Sequence, residues 1–172
     1  MGRALSDGPR QTDTLPRMVA CMMNRRQSLL VFLVAVVGVG WLIGATNLPG
    51  AWYADLSKPA FNPPNWIFAP AWTVLYVMIA IAGWRTWLQE NNSVALQLWF
   101  AQMLLNFSWS PVFFRLHKMG LGLAIILTLL ATIVGFIAVQ IRENRLAAGL
   151  FVPYAAWVAF ASALNYSLLK LN

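Results

Sequence analysis

The sequence predicts an all-α fold, an integral membrane bundle of five transmembrane helices. Composition is the first reason: 10% of the 172 residues are charged and 60% are hydrophobic, against about 25% charge in an ordinary soluble domain. The second reason is where the charges fall. Uncharged windows of 28, 26, 24, 23 and 24 residues follow Arg26, Lys58, Glu90, Lys118 and Arg145. A helix rises about 1.5 Å per residue, so about 20 apolar residues cross the hydrocarbon core. Each window is long enough.

The same arithmetic excludes other classes. A net charge of +7 invites a nucleic-acid reading. The basic residues stand singly or in pairs at window edges, however, where they match headgroups and fix topology. Nucleic acid is therefore not an expected partner. One cysteine, Cys21, rules out an internal disulfide framework and a cysteine-rich metal site.

Residues 1–26 carry Arg3, Arg10, Arg17, Arg25 and Arg26 with no helical apolar period. They read as a disordered basic tail, and residues 27–172 read as the five-helix transmembrane domain. A signal peptide is the alternative reading of this start. The run from Leu29 onward lacks a small-residue cleavage site, which favours a retained first helix. Met18, Met22 and Met23 leave a later translation start open.

The first helix is expected over 28–47, with Gly40 and Gly44 at a spacing that allows close backbone approach. Loop 48–69 holds Pro49, Pro59, Pro63 and Pro64, which forbid a continuous helix. Trp52, Tyr53, Phe61, Trp66 and Phe68 crowd between them. Aromatics so dense need apolar cover, so the loop is expected to fold back as a lid. Pro70 suits the first turn of a second helix over 70–88. Further helices follow over 94–114, 119–140 and 146–169, joined by short links that make sequential neighbours antiparallel. Trp84, Trp87 and Trp99 read as an interfacial belt. Six arginines on the tail side against four cations on the other favour a cytoplasmic N-terminus.

Polar residues inside the spans are the informative ones. Gln102, Asn106, Ser110 and Phe113 recur at helical spacing with Trp109 beside them; Ser162 and Asn165 share a face of the last helix. Two accounts stay open. These groups brace the helices against one another, or they line a cavity in which a few polar atoms orient an apolar ligand. Apart from Arg85 at the end of the second helix, no Asp, Glu, His, Lys or Arg lies inside a span, so neither a proton relay nor an acid–base catalyst is expected. His117, in the 115–118 link, reads as a surface histidine, and no metal site or catalytic residue is expected. Trp52, Trp66, Trp72, Trp109 and Trp157 exceed what an interfacial belt needs. Large flat rings around a cavity suit a flat polycyclic ligand.

At this point the chain resembles the tryptophan-rich sensory protein, or translocator protein, family. The stretches that carry the resemblance are residues 52–59 (WYADLSKP), 62–68 (NPPNWIF), 72–76 (WTVLY), 102–114 (QMLLNFSWSPVFF), 152–157 (VPYAAW) and 163–166 (ALNY). It covers about residues 28–172. It implies a five-helix homodimer with a cavity under the loop after the first helix, and a ligand that is protoporphyrin or a related tetrapyrrole. In animal members it also implies sterol and drug-like ligands. Ligand-lining positions implied by the resemblance are Tyr53, Pro63, Trp72, Asn106, Ser110, Phe113, Trp157 and Ala161. Ser110 departs from relatives that carry an amide or proline there. Trp72 and Trp157 match tryptophans linked in the family to light-driven porphyrin breakdown. Leu164, Tyr166 and Lys170 satisfy a loose spacing proposed for sterol contact, a pattern that an interfacial tyrosine and a snorkelling lysine also explain.

The function expected is that of a membrane receptor or sensor that binds tetrapyrrole and regulates or buffers it. Porphyrin is then a ligand, and no cofactor is required. The alternatives are a transporter of tetrapyrrole or sterol, and a light- and oxygen-dependent protoporphyrin-degrading enzyme. A bacterial cell membrane is the favoured residence, with a mitochondrial or bacterial outer membrane as the alternative.

Overall fold

A computed structural model describes residues 24–89 and 93–172. The disordered-tail expectation, and Cys21 with it, falls mainly outside the described residues. Its last two arginines do not belong to a tail, because the first helix starts at Arg25. The long helices are α1 (Arg25–Thr46), α2 (Phe68–Trp87), α3 (Ser93–Ser110), α4 (Met119–Glu143) and α5 (Arg145–Leu171). The described residues contain no strand.

Local chemistry sets the ends. Asn24 Oδ1 accepts from the Gln27 N–H at 2.9 Å, and Gln27 Oε1 accepts from the Asn24 N–H at 3.0 Å. This reciprocal cap is why α1 starts before the apolar run. At its other end Asn47 Nδ2 donates to the Ile43 carbonyl at 2.8 Å, just ahead of Pro49. Asn144 caps α5 by accepting from the Ala147 N–H at 3.1 Å. Pro70 sits in the first turn of α2, where its missing N–H costs nothing.

α1, α2, α4 and α5 are long and apolar enough to cross a membrane. α3 is the more polar helix, because it buries Gln102 and Asn106. A π-helical segment, Pro111–Arg115, continues it. Pro111 cannot donate to the Phe107 carbonyl and its ring crowds that carbonyl. The backbone beyond it widens, and the Leu116 N–H donates to the Pro111 carbonyl five residues back at 3.0 Å. Outward side chains such as Leu30, Val34, Leu104 and Val134 are exposed and as apolar as the core. Helices that are hydrophobic all round suit lipid, not water. The protein is an integral membrane protein.

The packing order is not the chain order. α1 lies on α2, α2 on α5, α5 on α4 and α4 on α3. Although a short link joins α2 to α3, α2 leans more on α5 than on that sequence neighbour. Two close approaches use glycine. A Cβ at Gly40 would meet the Tyr76 ring, and one at Gly83 would meet the Trp99 ring. Gly40 therefore serves contact within this chain. Trp99 is no belt residue either: it is buried, and its Nε1 donates to the Ile79 carbonyl at 3.0 Å.

The two ends of the bundle differ. At the proximal end, which holds the start of α1, polar bonds tie helices together directly. Gln140 Nε2 donates to Thr86 Oγ1 at 2.9 Å and Gln89 Oε1 at 3.1 Å, and Trp84 Nε1 donates to Ser28 Oγ at 3.0 Å. At the opposite, loop end, residues 48–69 are more ordered than their prolines suggest. They form a one-turn helix, Ala51–Asp55, and a 3₁₀ turn, Asn65–Ile67. Asn172 clamps this loop to the end of α5: its Oδ1 accepts from the Ser57 N–H at 3.0 Å, and its Nδ2 donates to the Ser57 carbonyl at 3.1 Å.

Candidate ligand-binding cavity

The loop and the helices beneath it enclose a cavity of about 660 Å³, within the range of about 300–1,000 Å³ typical of ligand sites. Its walls come from α1, α2, α3, the π segment, α4 and α5, and no lining residue carries a charge. The aromatic surfaces are flat and ordered in pairs. Trp72 stacks on Tyr76 at 5.3 Å and 29°, and Trp109 stacks on Phe113 at 5.0 Å and 16°. Phe68 meets the edge of Trp157 at 5.9 Å.

A hydrogen-bonded chain runs behind this wall. Tyr76 of α2 donates its hydroxyl to Asn106 Oδ1 at 3.0 Å, and Asn106 Nδ2 donates to the Tyr154 hydroxyl of α5 at 2.8 Å. Tyr154 in turn donates to Gln102 Oε1 at 3.0 Å, and Gln102 Nε2 donates to the Trp99 carbonyl at 2.9 Å. Three helices thus share one buried network, and each group in it satisfies the next. Asn165 plays a smaller bracing part, donating to the Met119 carbonyl at 3.4 Å. The two accounts of the polar face are therefore compatible: Asn106 braces the bundle and also lines the cavity.

Two donors stand outside any such arrangement. The indole nitrogens of Trp109 and Trp157 are buried and have no hydrogen-bond partner, and both side chains line the cavity. An unpaired buried donor costs about 1–3 kcal/mol. Both nitrogens lie within the wall, so an acceptor reaches them only when the surrounding rings shift.

The loop closes one side. Tyr53 is only 4% exposed, and its hydroxyl donates to Asn62 Oδ1 at 3.1 Å. Burial pushes its phenol above the ordinary value. Trp52 sits edge-on to Phe113 at 5.8 Å and stacks on His117 at 4.2 Å. His117 is exposed and takes a left-handed φ of 54°. Toward lipid, Trp41 Nε1 donates to Thr73 Oγ1 at 3.3 Å, joining α1 to α2 along the cavity's edge.

The sequence that builds this arrangement is similar to known proteins. The TspO/MBR family matches residues 29–171. The chain belongs to that family. It is 34% identical over 150 residues to the tryptophan-rich sensory protein of Cereibacter sphaeroides, covering 87% of this chain and 95% of that one. It is 37% identical over 146 residues to protein CrtK of Rhodobacter capsulatus, covering 83% and 91%. The human translocator protein is 32% identical over 142 residues, covering 78% and 84%.

Of the positions the family resemblance implies, Tyr53, Trp72, Asn106, Ser110, Phe113, Trp157 and Ala161 all line the cavity. Pro63 does not; it is half-buried in the loop, and its carbonyl accepts from Asn62 Nδ2 at 3.2 Å. The sterol spacing also divides. Leu164 faces the cavity, whereas Tyr166 is 51% exposed, with Lys170 Nζ 5.9 Å from its ring. Residues two apart on a helix point about 200° apart, so those three cannot form one surface. Sequence reasoning missed Tyr76 and Tyr154, which look like two more aromatics in apolar spans. Their signal is a phenol at mid-membrane depth, which needs a partner.

Proposed function

We propose that the protein is a membrane receptor or sensor that binds tetrapyrroles in this cavity and thereby regulates or buffers porphyrin. One observation carries the reading: an uncharged cavity of about 660 Å³ is walled by stacked rings, with two unpaired indole donors buried within that wall. A tetrapyrrole supplies a flat face for the rings and carboxylate acceptors for the donors. A sterol offers a single hydroxyl and fits the pair less well. The family resemblance adds a homodimer to this reading, and a bacterial cell membrane is its favoured residence. Transport of a tetrapyrrole would use the same binding step.

Titrating purified protein with protoporphyrin tests the reading. Replacing Trp109 and Trp157 together by Phe keeps the apolar rings and removes both donors. Affinity should fall by about 0.5–1.5 kcal/mol for each lost bond. Failure of the wild type to saturate, or unchanged affinity in the double variant, would sink it.

A second reading, light- and oxygen-dependent porphyrin degradation, has its own support. Trp72 stacks on Tyr76 and meets the edge of Tyr154 at 6.2 Å, beside the hydrogen-bonded chain through Asn106. Oxidisable rings thus adjoin a buried hydrogen-bonded network. Porphyrin absorbance under illumination, at matched occupancy, should decay more slowly in a Trp72→Phe/Trp157→Phe variant. Equal rates would remove the enzymatic reading.

A further inference from the structure

The proximal end of the bundle carries a second concavity, remote from the cavity under the loop. It measures about 230 Å³ and is walled by Arg25, Trp84, Arg85, Leu88 and Asn144. Its walls are held in place. Arg85 Nε donates to Asn144 Oδ1 at 3.2 Å, the same oxygen that caps α5. The Trp84 indole is tied to Ser28 Oγ across the α1–α2 contact at 3.0 Å. These bonds use one nitrogen of Arg85, and its two terminal nitrogens make no hydrogen bond among the described residues. The Arg25 guanidinium is not engaged at all among the described residues.

Neither arginine has a carboxylate partner among the described residues, although Glu143 lies one residue from Asn144. Arg26, Arg142 and Arg145 are exposed around the same end. The N-termini of α1 and α5 begin here, at Arg25 and Arg145, and the C-termini of α2 and α4 end here, at Trp87 and Glu143, so the helix dipoles oppose one another and the arginines supply the positive charge. Among the described residues the site is therefore a positive concavity whose two guanidinium groups have no carboxylate partner. Its depth is set by the apolar runs that start at Leu29 on α1 and end at Trp84 on α2, so it lies at headgroup level. Leu88, exposed and apolar, stands on its rim.

We propose that this concavity binds the phosphate of an anionic phospholipid headgroup, gripped between Arg25 and Arg85. A guanidinium fork matches phosphate oxygens bidentately, and Leu88 meets the first carbons of the lipid. Charge complementarity and bilayer depth both select a lipid over a soluble phosphate. The ligand is distinct from the tetrapyrrole of the other cavity, so the two proposals stand or fall separately.

The test uses the full chain in neutral detergent, with phosphatidylglycerol or phosphatidylcholine of identical acyl chains added and retained lipid counted by native mass spectrometry. The wild type should retain phosphatidylglycerol in preference. Retention should fall roughly thirtyfold in Arg25→Gln/Arg85→Gln, the loss of two interfacial cations. It should be unchanged in Arg115→Gln/Lys118→Gln at the opposite end. Should the double variant misfold by circular dichroism, Arg25→Gln alone tests the claim, since its side chain makes no hydrogen bond among the described residues. Equal retention of the two lipids by the wild type would overturn the proposal, as would wild-type retention by the arginine variants. Displacement of phosphatidylglycerol by millimolar glycerol phosphate would show a soluble-phosphate site and overturn the lipid assignment.

Discussion

Asn106 joins α2 and α5 through one amide, since Tyr76 donates to its oxygen and its nitrogen donates to Tyr154. Replacing it with Leu keeps the branched shape but leaves the Tyr76 hydroxyl without an acceptor and Tyr154 without a donor. Interhelical bonds within a membrane are worth about 0.6–2 kcal/mol each. Asn106→Leu should therefore lower the thermal midpoint in detergent measurably; an unchanged midpoint would show that the network is dispensable. Gly40→Ala acts on the same group from the other side, because the added methyl collides with the Tyr76 ring. Overpacking of this kind costs about 1–3 kcal/mol, and it should be relieved in part by Tyr76→Leu, measured as a double-mutant cycle. Iron has no role in this account. His117 is exposed, stacked on Trp52 and absent from the cavity lining. Metal-free protoporphyrin should thus bind within about tenfold of haem, and His117→Ala should leave haem affinity unchanged when both are titrated. At this scale the sequence is legible where spacing carries meaning: Asn106, Ser110 and Phe113 were placed on one face by helical period. It is not legible where a residue's meaning lies in its partner, as with Tyr76 and Tyr154, or where a linear pattern ignores helix direction, as with Leu164 and Tyr166.

Two elements shape the site, and the sequence shows them unequally. Pro111 lies in plain view, but its effect on bonding register, the π segment, depends on how the neighbouring helices let the backbone widen. The widened turn sets Phe113, 1% exposed, into the cavity wall. Pro111→Ala restores the missing N–H and allows an α-helical register, which rotates the following residues. Porphyrin affinity should weaken by about 0.5–1.5 kcal/mol, the worth of one aromatic contact, while helix content by circular dichroism stays constant. Unaltered affinity would mean that the π turn does not position the wall. The loop is the second element. Its prolines signal an interrupted chain, but not the one-turn helix that carries Trp52 and Tyr53. Burial raises the Tyr53 phenol above its ordinary value of about 10, so the closed loop favours the neutral form. The stabilisation is fully present below about pH 10 and is lost as pH rises through the folded value. Porphyrin release should accelerate at alkaline pH in the wild type, and this step should vanish in Tyr53→Phe.

Across the whole molecule, the chain divides its polar chemistry between two ends. Direct helix-to-helix bonds lock the proximal end around Gln140, Thr86 and Gln89, while the loop end surrounds a cavity instead of filling it. The five-helix class was readable from charge spacing alone, because a bilayer enforces long uncharged windows. The order in which those helices pack was not, since short links fix direction but leave open whether α2 leans on α3 or on α5. The cavity exists because aromatic rings, too rigid to collapse into the space, stack on one another around it. That the cavity is the tetrapyrrole site is the central claim, and filling it is the direct test. Ala161 lines the cavity, whereas Tyr166, one and a half turns along the same helix, points outward. Protoporphyrin should be titrated against wild type, Ala161→Phe and Tyr166→Phe under identical conditions. The account predicts saturable binding by the wild type and Tyr166→Phe, weakened at least about tenfold in Ala161→Phe. Equal affinity in all three would place the porphyrin elsewhere and contradict it.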